Sequence, residues 1–199
     1  MYPFIETIHI EHHKVFLLEN HLSRIQQTCV EYYGKKKDIQ QLHYEILFFA
    51  KETKIKTKLS IYYNLHEHSF FHKYYKIKKI KNFHLIENNE YDYHLKYADR
   101  SFFEQAKSKF DNADEIIIVK NGKITDTSFS NICLLKNNKW ITPITPLLNG
   151  IKRQYYLQQK QIEEQEIKVK DIKSFSKISL INSLLDLTKS QYDIETINF

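Results

Sequence analysis

Of the thirty basic residues in this 199-residue chain only three are arginine, Arg24, Arg100 and Arg153, and glycine is equally scarce, at Gly34, Gly122 and Gly150. A chain that uses lysine almost everywhere keeps arginine where a planar, permanently charged fork is needed. Glycine persists where the backbone must turn tightly or come close to a ligand. These six positions are where an anion clamp or a backbone cradle is expected. A lysine amine can also form a Schiff base with a carbonyl compound and then move protons, and Lys96 stands four residues before Arg100. His66-Glu67-His68 with His72 has the residue types of a metal site, but such scattered histidines among Tyr and Lys read better as an exposed strand. Cys29 and Cys133 form no CxxC pair and have no charge pattern that would activate a thiol.

The elements that must carry these residues follow from periodicity. Phe4 to Ile10 alternates as a strand, with Lys14 to Leu18 as its partner across Glu11-His12-His13. Asn20 is placed to cap a helix that ends at Gly34, and Asp38 to cap a second whose apolar face is Ile39, Leu42, Ile46 and Phe49. Lys54–Tyr63 and Phe71–Ile80 read as strands. The polar stretch around Glu87-Asn88-Asn89-Glu90 suggests a linker over residues 85–94, between an N-terminal α/β domain (1–84) and a C-terminal domain (95–199). In the second half a helix is expected from about Asp99 to Phe110. Strands are expected at Glu115–Lys120, Asn131–Lys136 and Lys139–Thr142, with tight turns at Asn121-Gly122 and Asn137-Asn138. A proline-bounded loop then leads to a helix at Ile151, and Ile178–Leu184 reads as a buried strand.

Net charge is +6, and residues 35–81 carry twelve lysines against four acids. A lysine-rich solvated surface explains that excess better than nucleic-acid binding. No apolar run is long enough to span a membrane, and the opening residues carry no signal-peptide pattern, so a cytoplasmic soluble protein with reduced thiols is expected.

One series of blocks resembles the fold-type IV, class IV aminotransferase family of pyridoxal-phosphate (PLP) enzymes. It comprises Phe4-Ile-Glu-Thr7, Leu18-Glu-Asn-His21-Leu-Ser-Arg24 and Lys96-Tyr-Ala-Asp-Arg100. It continues with Ala113-Asp-Glu through Gly122 and Thr125-Asp126 to Asn131, then Thr142-Pro143, and Leu148-Asn-Gly-Ile-Lys-Arg153. These separate blocks coincide in order over nearly the whole chain. The resemblance implies a two-domain α/β (α+β) fold, with a small N-terminal α/β domain and a C-terminal pseudo-barrel domain that binds PLP.

The same resemblance assigns roles. Lys96 would hold PLP as a Schiff base and move the substrate proton. Arg24 would bind the phosphate, with the backbone at Gly150, Ile151 and Lys152 and the Ser183 hydroxyl after Asn182. Asp126 would face the pyridine nitrogen, and Asn131 and Leu148 would complete the cofactor site. Two departures stand out. Asp126 replaces the family's glutamate and is one methylene shorter, and Lys152 replaces a threonine found in many transaminases. Family members usually carry a further strand pair and a D-R-G turn ahead of the F-E-T strand, which helps to build the substrate side and the dimer contact; this sequence starts almost at that strand.

The Asn149–Gln154 block and the Lys96–Arg100 spacing look closer to aminodeoxychorismate lyase than to branched-chain aminotransferases. The implied reaction converts 4-amino-4-deoxychorismate to 4-aminobenzoate and pyruvate for folate synthesis, in a homodimer with a small-molecule substrate and no membrane or nucleic-acid partner. An amino-acid aminotransferase is the alternative. A basic binding module on a PLP fold that no longer catalyses is the reading from another class.

Overall fold

A computed structural model describes residues 2–111 and 113–198, which divide into two compact units. The first comprises residues up to Lys76 together with Leu95–Asp99, and the second comprises Ile77–His94 and Arg100 onward. Among the described residues no helix is long and apolar enough to cross a membrane.

In the first unit, strand β1 (Phe4–Glu11) turns through His12 and His13, both at positive φ, into the two-residue strand β2 (Lys14–Val15). Helices α1 (Leu18–Tyr33) and α2 (Gln40–Lys51) follow, then strands β3 (Thr57–Tyr63) and β4 (His68–Tyr74). The sheet order is β2-β1-β3-β4, antiparallel throughout. Alternation puts Phe4, Ile8 and Ile10 on one face of β1, with Leu59, Ile61 and Tyr63 beside them on β3. That face packs on Leu22, Ile25 and Cys29 of α1 and on Leu42, Ile46 and Ala50 of α2. Glu6 occupies the same face, so a carboxylate is driven into this core.

The strand expected over Lys14–Leu18 is only two residues long. Leu17 adopts a left-handed backbone (φ 54°), and α1 begins at Leu18, two residues before Asn20, because Leu18 packs into the core. Asp38 does accept the Gln40 N–H (2.9 Å) at the start of α2. The strand expected at Phe71–Ile80 runs instead from His68 to Tyr74. His68 Nε2 there lies 2.7 Å from Glu45 Oε2, and no group of three potential ligands that could hold a metal occurs among the described residues.

The second unit contains β5 (Phe83–Glu87), α3 (Ser101–Ser108), β6 (Glu115–Lys120), β7 (Lys123–Thr127), β8 (Asn131–Lys136) and β9 (Lys139–Pro143). It continues with α4 (Ile151–Gln158), β10 (Glu163–Gln165), β11 (Lys177–Ile181), β12 (Gln191–Asp193) and β13 (Ile197–Asn198). The strand order is β10-β9-β8-β7-β6-β5-β13, with β11 on β8 and β12 on β11. The Asn121-Gly122 turn has φ of 51° and 69°, the left-handed pair that a two-residue hairpin demands. Strand β7 meets β8 only at Asp126 and Asn131, and β8 then pairs with β9 from Leu134 onward. The sheet therefore parts just beyond that one residue pair.

The domain boundaries expected from composition need correction. Residues 85–87 of the expected linker lie in β5, which pairs in parallel with β6. Leu95–Asp99, expected to open the C-terminal domain, belongs to the first unit, because Leu95 is buried in its core and Lys96 runs along β1. Helix α3 starts at Ser101 rather than Asp99, with Arg100 at the cap position.

Candidate active site

In the first unit the backbone of Lys96 is fixed against β1: the Ile5 N–H donates to the Lys96 carbonyl (3.0 Å), and the Ala98 N–H to the Pro3 carbonyl (2.8 Å). Between them Tyr97 bridges to Phe4, with ring centroids 5.6 Å apart. The Lys96 backbone is thus held along a sheet edge, a rigid support for its side chain.

Arg24, expected on a phosphate, turns its fork onto Glu6. Nε donates to Glu6 Oε2 (2.9 Å) and Nη2 to Oε1 (2.6 Å). His21, one turn earlier on α1, places Nδ1 3.0 Å from Glu6 Oε1, and the Thr7 N–H donates to the same oxygen (2.8 Å). Burial alone would raise the Glu6 pKa, but the Arg24 and His21 partners outweigh it and hold the carboxyl far below the usual range. Burial pushes the His21 pKa down, and the nearby Arg24 and Lys96 charges push the same way against Glu6. Glu6 is the buried partner of Arg24 and His21 that the sequence reading left without a role. Its signal was there: positions 4, 6, 8 and 10 share the apolar face of a strand, and an acid in that series must find a cation.

In the second unit the parting of β7 and β8 is built around Asp126. Oδ1 accepts from Asn131 Nδ2 (2.9 Å) and Oδ2 from the Leu148 N–H (2.9 Å), while Asn131 Nδ2 also donates to the Leu148 carbonyl (2.8 Å). Burial lifts the Asp126 pKa to about 7, against the opposing pull of these donors and of the Arg153 charge. Asn131 and Leu148, expected as cofactor contacts, act here as the partners that aim Asp126. Asp126 does not cap the turn that follows it: the Thr127 N–H donates to the Ser130 carbonyl (2.9 Å) and the Ser128 N–H to Glu115 Oε1 (2.9 Å).

Gly150 caps α4, and a Cβ there would lie 1.9 Å from Asn131 Oδ1. No other residue fits without displacing the Asp126 partner, so the glycine lets the helix start close over the pair. The Ile151, Lys152 and Arg153 amides lie in the first turn of α4, where anions are favoured. Ser183 lies in the turn after β11, where Asn182 Oδ1 accepts from the Leu184 (2.8 Å) and Leu185 (3.0 Å) amides. The Lys152 side chain, which stands where many transaminases have a threonine, donates to Asp186 Oδ1 (2.8 Å). The other two arginines also hold backbone. Arg100 bonds the Ser128 carbonyl and the Tyr93 hydroxyl (3.1 Å), while Arg153 bonds the Pro143 carbonyl (2.9 Å) and Glu164.

The donor set fits PLP. A buried carboxyl that burial leaves poised near neutrality would be ionised by a cationic ring nitrogen, and a glycine-opened helix start suits a phosphate.

The family model for class IV aminotransferases matches residues 4–189. An uncharacterised Haemophilus influenzae protein is 34% identical over 187 residues, covering 92% of this chain and 98% of that protein. A Haemophilus somnus structure described as a candidate 4-amino-4-deoxychorismate lyase is 30% identical, with a TM-score of 0.85 over 94% of this chain and 98% of the other. A Mesorhizobium loti structure described as a candidate amino-acid aminotransferase shares the fold, at 23% identity and a TM-score of 0.78, over 94% of this chain and 97% of that one.

Proposed function

The chain belongs to the class IV aminotransferase family of PLP-dependent enzymes, and from that premise we propose that it is a lyase converting 4-amino-4-deoxychorismate to 4-aminobenzoate and pyruvate. The observation that carries the chemistry is Asp126, a buried carboxyl held by Asn131 and Leu148 at the point where two strands part. The lyase choice draws on the Asn149–Gln154 block, the Lys96–Arg100 spacing and the likeness to the Haemophilus somnus structure.

PLP, when bound, supplies an electron sink for the charge left when a proton is taken from the carbon that bears the substrate amine. Lys96 would supply the amine that holds the cofactor, and its Nζ would take that proton and return it later. Asp126 would hold a proton on the ring nitrogen. In the first unit Arg24, oriented by Glu6 and His21, is a group that would bind phosphate, and in the second the amides of Ile151 and Lys152 would do the same. The overall reaction splits the substrate into two products with no net redox change and no added water. A homodimer is part of the same reading, and light scattering tests it.

The functional test gives the PLP-loaded protein 4-amino-4-deoxychorismate and follows 4-aminobenzoate by fluorescence and pyruvate by a coupled dehydrogenase. Equimolar formation of both is expected. Amine transfer from an amino acid to a 2-oxo acid, with no 4-aminobenzoate formed, would overturn the lyase reading in favour of the aminotransferase.

A further inference from the structure

Lys152 is a departure from the family pattern that comes with a partner. Its Nζ donates to Asp186 Oδ1 (2.8 Å) and lies 5.8 Å from the centre of the Tyr156 ring. The Tyr156 hydroxyl, one turn further along α4, donates to the same carboxylate oxygen (3.2 Å) and accepts from the Leu187 N–H (3.2 Å). The Lys152 side chain is 9% exposed and that of Asp186 45%, so the ammonium is largely withdrawn from water while the carboxylate keeps part of its hydration. Beneath them Tyr156 packs with Cys133, Ile181 and Leu187. Two side chains from the first turns of α4 thus converge on one carboxylate, which lies three residues beyond Ser183.

We propose that Lys152, Asp186 and Tyr156 form a positioning lock, which fixes the start of α4 against the turn 182–187 so that the amides at Gly150–Lys152 and the Ser183 hydroxyl present one anion cradle. The inference rests on the PLP reading above. Lys152 acts through Asp186, not on the phosphate. An ammonium already spent on a carboxylate at 2.8 Å adds little net charge to a neighbouring anion. It does hold two separate segments, one at each side of the cradle, in a single geometry. A threonine hydroxyl at position 152 is too short to make that bridge, so the lysine exchanges a direct contact for rigidity of the whole cradle.

Pyridoxal, which has the ring and aldehyde of PLP but no phosphate, separates this role from general stabilisation. Affinities of both compounds are measured by absorbance titration for the parent, Lys152→Met, Asp186→Asn and the double variant, with melting temperatures alongside. The single variants should bind PLP about tenfold more weakly, while pyridoxal affinity stays within about twofold. The double variant should be no worse than the weaker single, because the two residues act as one unit. Equal losses for PLP and pyridoxal, or losses that add in the double variant, would overturn the lock while leaving the cofactor assignment standing. An unchanged PLP affinity in Lys152→Met would overturn it too. A parent chain that binds no PLP would overturn the reading beneath it, and the lock with it. Should Lys152→Met fail to fold, Tyr156→Phe removes a hydroxyl from the same carboxylate at little packing cost. The same selective loss for PLP is expected there, smaller in size, and an equal loss for both compounds refutes the lock.

Discussion

Replacing Asp126 by asparagine should change how the stability of the cofactor-free protein depends on pH. Burial raises the Asp126 pKa from 3.8 to about 7. With the folded-state value above the unfolded one, the native protein keeps a proton that the unfolded chain releases. The stability this confers is complete below about pH 4, is lost progressively as pH rises through 7, and changes no further above that. Three pK units at about 1.4 kcal/mol each give about 4 kcal/mol over the whole range. Roughly two-thirds of it falls between about pH 5 and pH 8. For a chain of this length that is a fall in melting temperature of about 5–10 °C. His21 works in the opposite direction: with its pKa lowered by burial, the folded protein loses stability as pH falls below the ordinary histidine range. That contribution is common to parent and variant, so the difference between their melting curves isolates Asp126. An asparagine turns one amide group toward a donor, either the Leu148 N–H or Asn131 Nδ2, and this costs stability at every pH without adding a slope. Scanning fluorimetry of both apo proteins between pH 5 and 8 should therefore show curves that converge as pH rises. Parallel curves would refute the burial argument. Adding PLP should flatten the parent's slope, because a cationic ring nitrogen beside Asp126 stabilises the ionised carboxylate.

Three further outcomes follow from the site. Borohydride reduction of the PLP-loaded protein and peptide mapping should place the pyridoxyl mass on the peptide containing Lys96, and a label on any other lysine would refute that assignment. Arg24→Lys should weaken PLP binding by about 1–3 kcal/mol in a spectroscopic titration, since a fork that serves Glu6 through two atoms becomes a point charge. Asp126→Asn should lower turnover at least about a hundredfold while the visible cofactor band persists, because a group facing developing charge in a dry site is worth several kcal/mol of barrier. Unchanged turnover would remove Asp126 from the ring.

What the sequence disclosed depended on whether the signal was local. The Asn121-Gly122 hairpin and the ends of β6 and β8 lie where turn chemistry put them, because left-handed residues and short apolar runs act over a few positions. Scarce arginine and glycine pointed to positions under geometric demand: all three arginines hold a carboxylate or backbone carbonyls, and Gly150 sits where a Cβ would strike Asn131. The domain boundary was not legible. Composition made 85–94 look like a linker, whereas pairing of β5 with β6, and of Lys96 with β1, depends on residues about 30 or 90 positions away. The Lys152–Asp186 pair is hidden for the same reason, since its members are 34 positions apart and only the fold makes them neighbours.

The contrast between Glu6 and Asp126 bears on which acid does chemistry. Both are buried carboxylates that accept several hydrogen bonds, yet their pKa values move in opposite directions. Glu6 has a bidentate arginine and a histidine at hydrogen-bond distance, so its charge is compensated inside the protein before any ligand arrives. Such an acid is fixed in one state and serves to orient, as the Arg24 fork requires. Asp126 receives an amide side chain and the backbone N–H groups of Leu148 and Leu147, none of them charged, while the Arg153 guanidinium nearby is committed to the Pro143 carbonyl and Glu164. Its burial is only partly offset, and the remainder is what a cationic ligand atom would supply. Protein folding alone gains nothing from leaving a buried carboxyl short of a partner. The Asp126 environment is therefore better explained by a ligand that brings the missing charge than by stability, and among the groups of this family's cofactor the protonated ring nitrogen is the one that carries it.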